Sequence, residues 1–111
     1  MKLKNFLAVS LLGEIFIEDY VVEWDDEKNK INKKKHGLSF ETAARIFLDK
    51  NLVEDYDYFH SDDEDRYKII GKVGKILTVI YTERGENYRI ISARRATKRE
   101  EDLYYGQYQN L

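Results

Sequence analysis

Histidine, a run of lysines and a set of arginines are the residues of this chain whose chemistry is most specific. Histidine takes and gives protons near neutral pH, and the chain has it only at His36 and His60. His60 lies among acids, a poor place to meet a phosphodiester. His36 follows Lys33, Lys34 and Lys35 and precedes Gly37, so a backbone held by those lysines would lie beside an imidazole. Arginine keeps its proton and presents a planar fork that matches phosphate oxygens. Arg84, Arg89, Arg94 and Arg95 all fall in one short stretch, 84–95, around Gly85. Metal-free cleavage of RNA requires a base for the ribose 2′-hydroxyl, an acid for the leaving oxygen and cations for the charged phosphorane. His36 suits proton transfer, with lysine, tyrosine or glutamate as its partner. Arg84, Arg89 and Arg94 suit phosphate clamping. Tyr81 and Tyr88 are available to stack on bases.

Each of these residues also has a plain structural role open to it. His36 can donate to a carbonyl at a helix end, and the lysines can form a solvated face. Strand parity puts Arg89 on the face of Ile91 and Arg94 on the face of Ile90 and Ser92, so the two arginines are expected on opposite sides of a sheet. One of them is then available to bind a carboxylate from the acidic 54–65 segment, and spacing does not choose which. A site also needs the Lys35-His36 corner to reach the surface that carries the arginines.

The elements that must position these residues can be read from pattern. At 111 residues the chain makes one domain, and 14% aromatic content argues against disorder. Cysteine is absent, which removes disulfides and thiolate metal sites. Net charge is only −2, yet the charges are segregated: five lysines and no acid over 28–36, eight acids against Lys50 over 49–65, and six bases against Glu86 over 84–99. Local fields therefore exceed what the net charge suggests. Residues 1–20 begin like a secretory leader but lack a cleavage pattern before Glu18-Asp19. They are expected to pack as a short helix or strand ahead of a domain at 21–111, or to reflect a start codon placed upstream of that domain.

Val21 to Trp24 reads as a strand, and Asp25 or Asp26 caps a surface helix to about Lys35, with Ile31 as its apolar anchor and Gly37 ending it. Ser39 caps a second helix with a buried stripe of Phe40, Ala43, Ala44, Phe47 and Leu48. Residues 52–58 suit an edge strand, and 61–65 a solvated loop lacking the calcium-loop pattern. Strands at 66–73, 76–82 and 87–93 suit an antiparallel meander. Thr97 and Glu100 form a capping box for a last helix whose packed face is Leu103, Tyr104, Gln107 and Tyr108. The sum is an α+β domain of about four antiparallel strands, with two helices from the N-terminal half and a C-terminal helix packed on the sheet.

Two ordered blocks carry a family resemblance. Glu23-Trp24-Asp25, Lys28, Asn32 and Lys35-His36-Gly37-Leu38-Ser39-Phe40-Glu41-Thr42-Ala43 resemble the opening of BrnT toxins. Ile70-Gly71, Val79 to Gly85, Arg89 to Arg94, Ala96 and Glu100 resemble their second half. The resemblance spans about residues 22–108; residues 1–20 fall outside it, and Lys50 stands where the family often has proline. It implies a RelE-like fold and the ribonuclease half of a type II toxin–antitoxin pair. It also implies a cytoplasmic, cofactor-free and metal-free endoribonuclease, with no membrane partner. The implied partners are RNA and a BrnA-like antitoxin with a ribbon-helix-helix DNA-binding domain. The two form a hetero-oligomer that reaches operator DNA only through the antitoxin. Carried onto this sequence, the candidate catalytic residues are Lys35, His36, Arg84 and Arg94. The candidate substrate-binding residues are Arg89, Lys33, Lys34, Tyr81 and Tyr88. The alternatives are a non-catalytic RNA- or ribosome-binding module and a protein-interaction subunit.

Overall fold

The computed structural model describes residues 7–10, 13–17, 20–55 and 65–107. Along the chain come β1 (Leu7–Ser10), β2 (Glu14–Ile17), β3 (Tyr20–Trp24), α1 (Asp26–His36) and α2 (Phe40–Ala43), which tightens into a 3₁₀ turn (Ala44–Leu48). Then follow β4 (Val53–Glu54), β5 (Tyr67–Val73), β6 (Lys75–Arg84), β7 (Asn87–Arg95) and α3 (Lys98–Gly106). The α+β class agrees with the sequence reading; the strand count does not. One seven-stranded sheet runs β1-β2-β3-β7-β6-β5-β4. All its pairings are antiparallel except β3 with β7, which is parallel. The undercount arose at the N-terminal side, where β1 and β2 pair antiparallel and extend the sheet beyond β3. Of the strand expected over 52–58, Val53–Glu54 forms the short edge strand β4. Residues 56–64, with His60 and most of the acidic loop, lie outside the described residues, as does Tyr108.

The two faces of the sheet bury different material. One face carries Ile15, Ile17, Val22, Trp24, Ile69, Val79 and Ile90 against Phe40, Ala43, Ala44 and Ile46 from α2 and the 3₁₀ turn. This is the main core. On the other face α3 lays Tyr104 over Ile70 and Ile76, and the Tyr104 hydroxyl donates to Asp49 at 2.7 Å. The expected packing face of α3 therefore shifts: Leu103 is exposed, and the buried pair is Glu100 and Tyr104, one turn apart.

Glu100 is 2% exposed and carries a charge, so it must be paired. Its Oε1 accepts from the Arg94 Nη1 at 2.8 Å, from the Thr97 backbone N–H at 2.8 Å and from the Thr78 hydroxyl at 2.9 Å. Its Oε2 accepts from the Arg94 Nη2 at 3.0 Å and pairs with the Lys68 Nζ at 2.6 Å. Lys68 also pairs with Asp55 at 3.3 Å, and Asp55 with Arg99 at 3.1 Å. The capping box expected at Thr97 is present, but its glutamate ties three strands to α3 as well. Burial alone would push the Glu100 carboxyl up; the donors from Arg94, Lys68, Thr97 and Thr78 together outweigh it and hold the group well below the usual carboxylate range.

Substituting Glu100→Gln leaves Arg94 and Lys68 without their shared counter-charge and is expected to lower stability at pH 7 by about 3 kcal/mol, measured by urea denaturation. A carboxyl lowered in the folded state contributes fully above its unfolded value of about 4.3 and loses that contribution as pH falls toward the folded value. The deficit of the variant therefore narrows below about pH 4. A deficit that stays constant down to pH 2.5 would contradict the charged network.

Candidate functional site

The basic helix α1 is held by polar groups. Its N-cap Asp25 accepts from the Lys28 backbone N–H at 3.1 Å, acids Asp26 and Glu27 fill its first turn, and Lys33, Lys34, Lys35 and His36 fill its last. Both ends thus complement the helix dipole. Gly37, at φ 68°, ends it in the left-handed region. Ile31 does not anchor it: that side chain is 62% exposed, and the only buried residue of α1 is Asn32. Asn32 Nδ2 donates to the Ala93 carbonyl at 2.8 Å and to the Leu38 carbonyl at 3.0 Å, and its Oδ1 accepts from the Ala93 N–H at 3.1 Å. One turn earlier, Asn29 accepts from the Phe40 N–H and donates to Glu41.

These anchors fix where the lysines and His36 lie. Trp24 is the partner of Ile90 in the parallel pair, and Asn32 is bonded to Ala93. From Asp25 to Asn32 a helix rises about 10 Å, close to the length of strand between Ile90 and Ala93. The helix therefore runs alongside β7, and His36, one turn beyond Asn32, comes level with Arg95 at the strand exit. Lys33, Lys34, Lys35, His36 and Arg95 are all exposed there. Lys33 lies one turn before His36 on the same helix face, and Lys35 projects about 100° away.

Arg94 adjoins this corner but is occupied. Both terminal nitrogens are on Glu100, and Nη1 also donates to the Arg95 carbonyl at 3.2 Å. Hydrogen bonding to Glu100 raises its pKa further. Its side chain is 35% exposed. Arg95, which the sequence reading left out of the site, is the exposed cation at this exit.

The parity expected for β7 is corrected by a bulge. Tyr81 pairs with Ile90 and Ile80 with Ser92, leaving Ile91 as an extra residue in β7. The inserted residue inverts the alternation, so Arg89 opposite Thr82 and Arg94 opposite Thr78 lie on one face, about 13 Å apart along the strand. Arg89 is placed near Glu23 at 3.6 Å and Asp25 at 4.0 Å. The acidic 54–65 segment takes neither arginine among the described contacts; its Asp55 pairs with Lys68 and Arg99. Arg84 sits at the β6–β7 turn, six strand positions from Thr78 and so about 20 Å from Arg94. It does not join the corner at the other end of the hairpin. Tyr81 is 7% exposed and enclosed by Phe47, Tyr67 and Tyr88, so it offers no face to a base. Tyr88 stacks on Phe47 with planes 7° apart. Burial first, with nearby acidic and phenolic groups adding to it, raises the pKa of Tyr81 and Tyr88.

A single sequence carries little signal for the two polar anchors. Asn32 looks like one more polar residue of a charged helix, and Glu100 looks like half of a cap. A buried polar side chain reveals itself only when its distant partners, Ala93 for one and Lys68 and Arg94 for the other, are known.

A family model described as the ribonuclease toxin BrnT of type II toxin–antitoxin systems matches residues 24–100. A crystal structure of the Brucella abortus ribonuclease toxin BrnT is similar at 29% sequence identity and a TM-score of 0.53, covering 68% of this chain and 94% of that one. No curated protein sequence matches.

Replacing Asn32 by leucine is expected to leave the Ala93 N–H and C=O without partners and to cost roughly 1–3 kcal/mol for each buried group left unsatisfied. Amide exchange at Ala93, followed by NMR, should speed up out of proportion to the global loss, because the helix end separates from the strand edge. Unchanged protection at Ala93 would show that something else holds this edge.

Proposed function

The chain belongs to the BrnT family of ribonuclease toxins of type II toxin–antitoxin systems, and on that premise we propose that it is an endoribonuclease cutting RNA by attack of the ribose 2′-hydroxyl without a metal. The observation that carries the choice of site is the Asn32–Ala93 pairing, which supports a single basic corner made from Lys33, Lys34, Lys35, His36, Arg94 and Arg95. In this reading His36 takes the proton of the 2′-hydroxyl, and that oxygen attacks the neighbouring phosphorus. The bond from phosphorus to the 5′-oxygen breaks, leaving a 2′,3′-cyclic phosphate. Lys35 gives its proton to the departing 5′-oxygen. Two side chains about 100° apart on a helix can flank a phosphodiester, as base and acid must in an in-line displacement. Arg95, Lys33 and the partly exposed Arg94 offset the charge that develops on the phosphorane. Lys34 and Arg89 would track the backbone to either side.

A type II toxin family implies an antitoxin partner. We take that partner to be BrnA-like, with a ribbon-helix-helix domain that carries the complex to operator DNA. Grouping with RelE-like folds and action in the cytoplasm complete the reading. Among the described residues, no helix is long and apolar enough to cross a membrane.

Purified chain incubated with RNA should yield fragments ending in cyclic phosphate. His36→Ala should slow cleavage by about 100-fold or more, the usual contribution of a general base. Arg84→Ala should change the rate only a few-fold and relieve growth arrest little. RNA that is bound but stays intact, with binding that falls steeply with salt, would overturn the enzyme reading in favour of a binding module.

A further inference from the structure

On the main-core face, at the end of the sheet away from His36, the rings do not close completely. Tyr20, Phe47, Leu52, Glu54, Tyr81 and Tyr88 line a cleft of about 210 Å³. Small-molecule sites usually span roughly 300–1,000 Å³, so this one suits a single side chain better than a nucleotide. Phe47 and Tyr88 are stacked at 5.3 Å, Tyr81 meets both edge-on, and Tyr20 leans on Tyr88 at 5.0 Å. Glu54 enters from the edge strand β4, opposite Ile69. It is half-buried, and no cation pairs with it among the described residues.

The field in this cleft is negative. Burial comes first in raising the pKa values of Tyr67, Tyr81 and Tyr88, and the Glu54 and Glu83 carboxylates push all three the same way. The phenol of Tyr88 therefore stays neutral, and its ring and that of Phe47 lie in the same cleft as a carboxylate that no described cation pairs. That combination repels phosphate and attracts a cation that can lie flat against a ring. Guanidinium does so better than ammonium, because it is planar and more weakly hydrated, and its fork matches one carboxylate.

The geometry points to this cleft as a docking site for an arginine side chain presented by a protein partner. The rings of Phe47 and Tyr88 meet the guanidinium plane, and Glu54 accepts its N–H groups. The site is independent of RNA cleavage. Tyr88, opposite Glu83, lies six strand positions from Arg95, opposite Leu77, which is about 20 Å along the strand, so an occupant here leaves the basic corner open.

The test is a titration of the full chain, watched by NMR at the rings of Phe47 and Tyr88, with acetyl-Gly-Arg-Gly-amide and with the same peptide carrying neutral citrulline. The arginine peptide should shift those rings in a saturable way, with the citrulline peptide at least ten-fold weaker. Glu54→Gln, a change at a half-exposed position that leaves the core intact, should weaken the arginine peptide about ten-fold. Tyr88→Leu should do the same if the variant keeps its fold by circular dichroism. Equal shifts from both peptides, or unaltered affinity in Glu54→Gln, would overturn the proposal. So would adenosine monophosphate binding at these rings more tightly than the arginine peptide, which would make the cleft a base-stacking site.

Discussion

A strand whose neighbour stops short leaves peptide groups unpaired, and β7 is in that position beyond Ile90, where β3 ends. An open N–H and C=O inside a fold are costly, so something must take the place of the missing strand. Asn32 does so, with an amide group that copies the donor and acceptor of a peptide. The consequence reaches beyond two hydrogen bonds. The substitute strand partner is mounted on a helix, so the helix must run beside β7, and its lysine-rich end must arrive where β7 ends. Sheet completion and placement of the basic corner are one event.

The Glu100 network performs a similar duty on the opposite face. It gathers Arg94 from β7, Thr78 from β6, Lys68 from β5 and the first turn of α3 around one carboxylate. An arginine that looks in sequence like a free phosphate clamp is here largely a structural strut. The bulge at Ile91 is what makes this possible, since unbroken alternation from Ile90 would turn Arg94 into the apolar core and Ala93 out of it.

Much of the local architecture was legible before any coordinates. The caps at Asp25, Ser39 and Thr97, the glycine end at Gly37 and the turn at Gly85 each depend on neighbouring residues, and each stands where the residue types indicate. What failed to show were features set by partners far along the chain. The parallel union of β3 and β7 leaves no mark on hydrophobic alternation. A bulge inverts parity without changing composition. Ile31 looked like an anchor because apolar residues usually are, while the true anchor beside it was polar. For the candidate site, the residue types at 33–36 and 94–95 were visible, but their common location was not. The separation of Arg84 from them does follow from the sequence, since a turn at Gly85 and a strand ending at 93 put Arg84 and Arg94 at opposite ends of the hairpin.

The parallel pairing of β3 with β7 also orders events during synthesis. β5, β6 and β7 are neighbours in sequence and can zip together as consecutive hairpins, whereas β3 must wait for a partner more than sixty residues downstream. Long-range pairings of this kind form late, since loop closure must precede any contact that rewards it. A nascent chain on the ribosome therefore carries its lysines and His36 on a helix with little apolar packing of its own, and isolated helices of that length are marginal in water. The basic corner comes into being only after residue 93 has emerged. A growing chain is thus without its assembled site for most of its translation, however basic the segment already made.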